Sequence, residues 1–332
     1  MRQLAAFTVA LWACGGTLAP SSAVSTDAGV PPVSDAGAPP AGDVSADAGV
    51  QPAGPSLAGC PMFPADNPWN RDISAEPVDA HSAEYLAYMG AGSLYLQPDF
   101  GGQYGQPYAV MPSTQPRVPM SFLYASQSEP GPYPFPPDVP IQANEDRHAT
   151  VLVQGECKLY ETYNTYASGA GFHADSGAVF DLASGAPRPD GWTSATAAGL
   201  PILPGLARYD EAVEKGEIRH ALVFVAGGTA HAYVAPATHS SGTSNDLYAP
   251  PMGLRVRLRA DFDVSRFKGA SLAVLRALQQ HGMFLTDSAG GQFWALDGAK
   301  DARWSIQDLD QLKSVPASAF EVVKLGTMHS GQ

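Results

Sequence analysis

Long apolar runs are missing from this chain after its first 13 residues, basic residues are few, and cysteines number only three. Each shortage excludes something. Nothing downstream of the N-terminus has the roughly 20 consecutive apolar residues that a membrane-spanning helix needs. Nineteen Lys and Arg stand against 32 Asp and Glu, a net charge of −13. That balance repels phosphate backbones and argues against nucleic acid as a partner, and more mildly against polyuronates. The chain also lacks a G-x-S-x-G elbow, a G-x-x-x-x-G-K-[ST] phosphate loop, an H-E-x-x-H zinc helix and a dinucleotide fingerprint. No cofactor and no metal are expected.

What is present begins with an address. Met1-Arg2-Gln3 precedes an apolar stretch, Leu4–Ala13, too short to span a bilayer, which leads into Leu11-Trp12-Ala13-Cys14. A small residue before Cys14 resembles a bacterial lipobox, so residues 1–14 are expected to be a lipoprotein signal with Cys14 lipidated. An ordinary signal peptide cleaved near Ala19 or Ala23 is the alternative, and either route exports the protein. Residues 15–57 hold no aromatic residue, Lys or Arg, and they repeat Asp-Ala-Gly at 27–29, 35–37 and 47–49. Such a composition cannot bury enough apolar surface to offset its ordering entropy, so this segment is expected to be a disordered tether. The repeats resemble those of myxobacterial lipoproteins. The expected location is the cell envelope, lipid-anchored at the outer membrane or cell surface.

Residues 58–332 are expected to form a single domain. Without Arg2 and the four tether aspartates, 18 basic residues face 28 acidic ones, a net charge of −10. Cys60 and Cys157 remain as an even pair in an oxidising compartment, which predicts a disulfide between them. Residues 60–145 are crowded with proline, and Glu129–Pro137 must be extended, which reads as a long arm wrapping over a sheet. Only residues 82–89 read as a helix there, with Ser82 as its cap and Gly90 as its stop. Strands follow from His148, including 148–153, 157–163, 177–182, 219–225, 254–260 and 283–286. The best helix is 272–281, with Leu272, Leu275 and Leu278 at helical spacing; residues 207–215 and 306–313 are weaker candidates. Many short strands with few helices predict a mainly β fold, sandwich or jelly-roll-like, with a Pro-rich N-terminal arm.

Candidate chemistry lies on strand faces. Glu161 shares a face with Cys157 and Leu159, so its carboxylate points inward, as an acid or base in a cleft or as half of an ion pair with an Arg. His220 shares a face with Leu222 and Phe224. His148, His231 and His239 also lie on or beside strands, without a spacing that specifies a metal. Asp146-Arg147-His148 places three ionisable groups where a loop enters a strand. Leu254, Val256 and Leu258 form a core face, so Arg255, Arg257 and Arg259 line the other, as a carboxylate-binding floor or a solvated edge. The run 191–206 reads as a long ordered loop carrying Trp192, a wall for a groove or a cover over a sheet.

The segments DRH at 146–148, ECKLYE at 156–161, GAVFDL at 177–182, GWTSATAAGLPILPGLARYDE at 191–211, IRHAL at 218–222 and PPMGLRVRL at 250–258 resemble a widespread family of exported bacterial proteins. The likeness covers Cys60 to Val323, and most members carry no assigned activity. It implies an exported β-rich domain and says little about chemistry. It also implies an acidic residue at the place of Thr196 and an arginine at that of Thr238, two departures in this chain.

Export, a tether, β architecture, 13 Tyr and 5 Trp together suggest a surface-anchored carbohydrate-active protein acting on a polysaccharide or oligosaccharide. As a hydrolase it would use Glu161 and Asp146 as its carboxylate pair. As a lyase it would use His220 or a Tyr as base, with Arg255 or Arg257 neutralising a uronate. His148, Trp192, His239 and Asp287 are expected to contact substrate. The alternative is a non-catalytic glycan-binding or cell-surface structural module.

Overall fold

A computed structural model describes residues 54–331, apart from 290 and 292. The expected lipobox at Cys14 and the tether as far as residue 53 lie outside the described residues. The ordered body starts a few residues earlier than composition suggests. Ser56–Leu57 pairs antiparallel with Cys60–Pro61, Pro55 O accepts from Met62 N at 2.8 Å, and Ser56 O accepts from the Arg208 guanidinium at 3.2 Å. The Cys60–Cys157 disulfide is present, with Cα atoms 5.2 Å apart. It ties this first hairpin to the turn just before strand Lys158–Tyr163.

The architecture is mainly β, with 29% strand against 17% helix, and sandwich-like. One sheet has four strands in the order Ser176–Asp181, Lys158–Tyr163, Ala149–Gln154 and Ala109–Pro112. Both of its faces are covered, and strand alternation sorts the residues between them. Leu152, Leu159, Ala178 and Phe180 join the main core. Val151, Val153 and Tyr160 face a second cluster with Tyr133 and Phe135. Those two aromatics belong to the Pro-rich arm, which lies over the sheet as expected. Within the arm the backbones of Val118 and Tyr133 exchange two hydrogen bonds, and Ser128 Oγ and Glu129 Oε2 tie it to the sheet by accepting from Gly177 N at 3.0 Å and Val179 N at 3.1 Å.

A second, six-stranded sheet runs in the order Phe320–Val322, Arg255–Leu258, Met283–Ala289, Leu222–Gly227, Trp294–Leu296 and Leu96–Gln97. Met283–Ala289 and Leu222–Gly227 are its central parallel pair. Helix Gly269–Gln280 buries Val274, Leu275 and Leu278 in the main core. At Gly282 (φ 64) the chain turns back into the sheet, where an added Cβ would meet Val256 O at 2.3 Å. Glycine is required at that turn.

Three expectations change in detail. The first helix is Ser82–Tyr88, preceded by His81 as the cap residue with no side-chain capping bond. Ser82 Oγ instead accepts from Val322 N at 2.8 Å, so tertiary contact takes the hydroxyl from the helix end. The 207–215 candidate becomes a short π-helix, Asp210–Lys215. Leu254, Val256 and Leu258 are core residues as expected, but Arg255 and Arg257 are buried too and neither floors a cleft beside Glu161. Residues 68–76 cover them. Arg255 donates to Pro68 O and His281 O, and Arg257 to Ile73 O and, at 2.7 Å, to Glu321. Arg259 is the exposed member of the three, beside Asp261.

Candidate functional site

The six-stranded sheet builds the site where its central parallel pair ends. Val225 lies opposite Asp287 on one side and Ala295 on the other. The three therefore share a row and a face, and all three line a cleft of about 890 Å³. A register shift between Phe224 and Val225 skips Thr286 on the neighbouring strand. Such a bulge re-aims the side chains beyond it, and here it brings Asp287 into the row of Val225. Asp297 follows two residues after Ala295, returns to the same face, and also lines the cleft. Its backbone is fixed by Asp297 N to Val223 O at 3.2 Å and Ala207 N to Asp297 O at 3.3 Å. The next residue, Gly298, packs where a Cβ would strike the Phe100 ring at 2.3 Å.

The opposite wall comes from the loop entering strand Ala149–Gln154. Asp146 accepts from Asn144 Nδ2 at 3.0 Å. His148 is buried, with Nε2 donating to Ala195 O at 3.0 Å and Nδ1 2.9 Å from Gln142 Oε1. Arg147 (φ 48) lies over the Tyr166 ring at 4.2 Å, outside the cleft lining. Gln97, Gln103, Gln106, Gln142 and Asn144 supply amides, and Phe100, Tyr104 and Phe293 supply aromatic surface. Four carboxyl residues, Glu145, Asp146, Asp287 and Asp297, line the cleft, and none of its described lining residues is Lys or Arg. Gln106 Oε1 is buried there without a hydrogen-bond partner.

Electrostatics separate these carboxyls. Burial, then the charges of Asp287 and Asp146, push Asp297 up to about 7. Among the described residues its carboxyl has no hydrogen-bond donor or ion-pair partner. Burial also raises Asp287, to about 6, with Asp146 adding to the rise; two amides, Ser288 N at 2.8 Å and Ala197 N at 3.4 Å, pull against it. His148 is held below the ordinary imidazole range by burial, against the pull of Asp146. Tyr163 is raised, first by burial and then by Asp146 and Asp287, and its ring lies 5.7 Å from that of His148. The arrangement sets two carboxyls on one sheet face, with Asp297 holding its proton to a higher pH than Asp287, the kind of asymmetry that acid–base chemistry uses.

The structure thus brings together three of the residues singled out from sequence: Asp146, His148 and Asp287. It does not bring the others there. Glu161 is fully buried behind the cleft wall and accepts from Ile202 N at 2.9 Å and Leu203 N at 2.9 Å. Its carboxyl is raised to about 7 by burial, against those two hydrogen bonds and the Arg188 charge. Its partners are loop amides rather than an arginine, so it anchors the 191–206 loop. His220 lies in the core, with Nε2 3.0 Å from Glu211 Oε2 and Nδ1 2.9 Å from Ala221 O; Arg208 completes that buried group, 2.6 Å from Glu211. Arg255 and Arg257 lie under residues 68–76. Trp192 lies under Arg188, 5.5 Å from its guanidinium, outside the cleft lining. His239 holds Ala197 O at 2.8 Å, one step behind Asp287. Among the described residues no three His, Cys, Asp or Glu are arranged to hold a metal ion.

Asp297 is the residue that sequence reading missed. Leu296-Asp297-Gly298 at a strand end reads as turn chemistry, and the one usable signal was that Asp297 keeps the alternation of Ala295. In comparisons with known proteins, no family model, no curated protein and no solved structure matches the chain.

Proposed function

We propose that the chain is a carbohydrate-active protein of the cell envelope whose cleft hydrolyses a neutral glycan. The supporting observation is the cleft itself: four carboxyl residues, an amide-rich wall and no lining cation in a space large enough for a sugar. Asp297, which keeps its proton up to about pH 7, is the general acid that protonates the leaving oxygen. Asp287, whose ionised form two backbone amides support, is the base or nucleophile on the other side of the bond. Asp146 keeps the field negative and favours the positive charge that develops on the sugar ring. A lyase route is not retained, because a uronate would enter four carboxyls with no cation to neutralise it. Export and lipidation at Cys14 complete the proposal: radioactive fatty acid should label the wild-type protein and not Cys14→Ser.

The test is a screen of neutral polysaccharides and oligosaccharides with wild type, Asp297→Asn and Asp287→Asn. Each substitution should lower hydrolysis by about 10²-fold or more with the fold retained. The amide wall favours one other reading, a non-catalytic glycan-binding module. Binding without hydrolysis by the wild type, unchanged in Asp297→Asn, would establish that reading instead.

A further inference from the structure

A second depression, about 320 Å³, shares no lining residue with the cleft and differs from it in sign. Arg71, Arg255 and Lys324 line it against a single carboxylate, Glu76, in a protein of net charge −13. Glu76 is committed to Arg71 by an ion pair. Lys324 is exposed, and no carboxylate pairs with it among the described residues.

Arg255 is the unusual member. It is buried, its guanidinium stacks 4.6 Å over the Phe284 ring, and its hydrogen bonds all go to neutral carbonyls: His281 O, Pro68 O and Arg71 O. One N–H on Nη1 is left without an acceptor among the described residues. A buried cation ordinarily needs a counter-charge, and here no carboxylate hydrogen-bonds the guanidinium; Glu76, paired with Arg71, acts on it only through its field. Burial first, then the Arg71 charge, push the guanidinium down to about 9, against the pull of Glu76.

We propose that this depression binds a small oxyanion, the carboxylate or phosphate of a sugar-sized ligand, between Lys324 and the Arg71 and Arg255 guanidiniums. The volume suits one sugar ring or its equivalent, and Arg favours oxyanions through its planar donor set. The proposal stands apart from the hydrolase reading, since it concerns different residues.

The test titrates the full chain at constant ionic strength with glucuronate, inorganic phosphate and, as a neutral control, glucose, following the thermal midpoint and the arginine side-chain N–H resonances. A saturable rise in midpoint with one or both anions and none with glucose is expected, with the more effective anion identifying the ligand chemistry. Lys324→Gln, at an exposed position, should weaken binding about fivefold, and Arg71→Gln with Lys324→Gln should abolish it. Lys158→Gln, an exposed lysine in the other sheet, should bind as wild type. No saturable response to either anion, or equal affinity in the double variant, would overturn the proposal. Arg255 itself is left intact, because its guanidinium holds Pro68 O, Arg71 O and His281 O together and removing it would disturb the segment that covers the sheet.

Discussion

Asp287 and Asp297 stand on one face of one sheet, two strand spacings of about 4.8 Å apart, yet in different company. Two amides support the charged form of Asp287, whereas Asp297 meets only burial and negative neighbours. Hydrolysis should therefore rise as Asp287 ionises near pH 6 and fall as Asp297 loses its proton near pH 7. The rate profile should be a narrow bell whose limbs belong to the coupled set rather than to either residue alone. A flat profile from pH 5 to 8 would contradict the assignment. Glu161 should behave differently. Glu161→Gln keeps one oxygen for Ile202 N and Leu203 N but brings an NH₂ group against Ile202 N in place of the second acceptor, so it should cost about 1–3 kcal/mol in urea unfolding while leaving both limbs of the bell in place. Asp146, His148 and Asp287 were legible as cleft-lining residues because a loop or strand end exposes polar groups at a sheet rim. Asp297 was not, since turn chemistry accounts equally well for an aspartate before glycine.

At the scale of elements, the 191–206 loop is ordered by polar anchors at both ends. Ser194 Oγ donates to Leu200 O at 2.6 Å, Glu161 holds Ile202 N and Leu203 N, and Gly199 (φ 71) passes where a Cβ would meet Thr238 Oγ1 at 2.2 Å. Thr196 and Ile202 then face the cleft, so the loop serves as wall and as cover at once. The first hairpin depends on its staple. Replacing Cys60 and Cys157 with serine removes a link across 97 residues of sequence separation, nominally about 4–5 kcal/mol. The expected outcome is a lowered thermal midpoint, reproduced in wild type by reductant, and faster amide exchange in residues 55–62. An unchanged midpoint would show that the hairpin holds by packing alone.

For the whole molecule, the pH dependence of stability follows from the raised carboxyls. Glu161, Asp287 and Asp297 hold their protons to about 7, 6 and 7 in the folded state, against roughly 4 in an unfolded chain. Between those values the folded state binds more protons than the unfolded one. Their contribution is full below about pH 4 and is lost as pH rises through 6 to 7. The thermal midpoint should thus be lower at pH 8 than at pH 5.5, and the difference should shrink in Asp297→Asn. A midpoint that rises over this range would place these carboxyls in the ionised form throughout.

Composition and the order of neighbours along the chain were enough for several features. Alternation in 254–259 picked out Leu254, Val256 and Leu258 as core, cysteine parity picked out the disulfide, and proline density picked out the arm over the sheet. Tertiary structure alone decided which polar side chains meet water. Arg255 and Arg257 looked like an outer face because alternation reports two sides of a strand, not whether a distant segment, here residues 68–76, covers one of them. Glu161 and His220 looked like site residues because an inward polar group is a rarity, yet loop amides and a buried Glu211 satisfy them. The cleft brings together residues near positions 97, 146, 196, 287 and 297, and only the pairing order of two sheets, with a bulge at Thr286, turns those distant positions onto one surface.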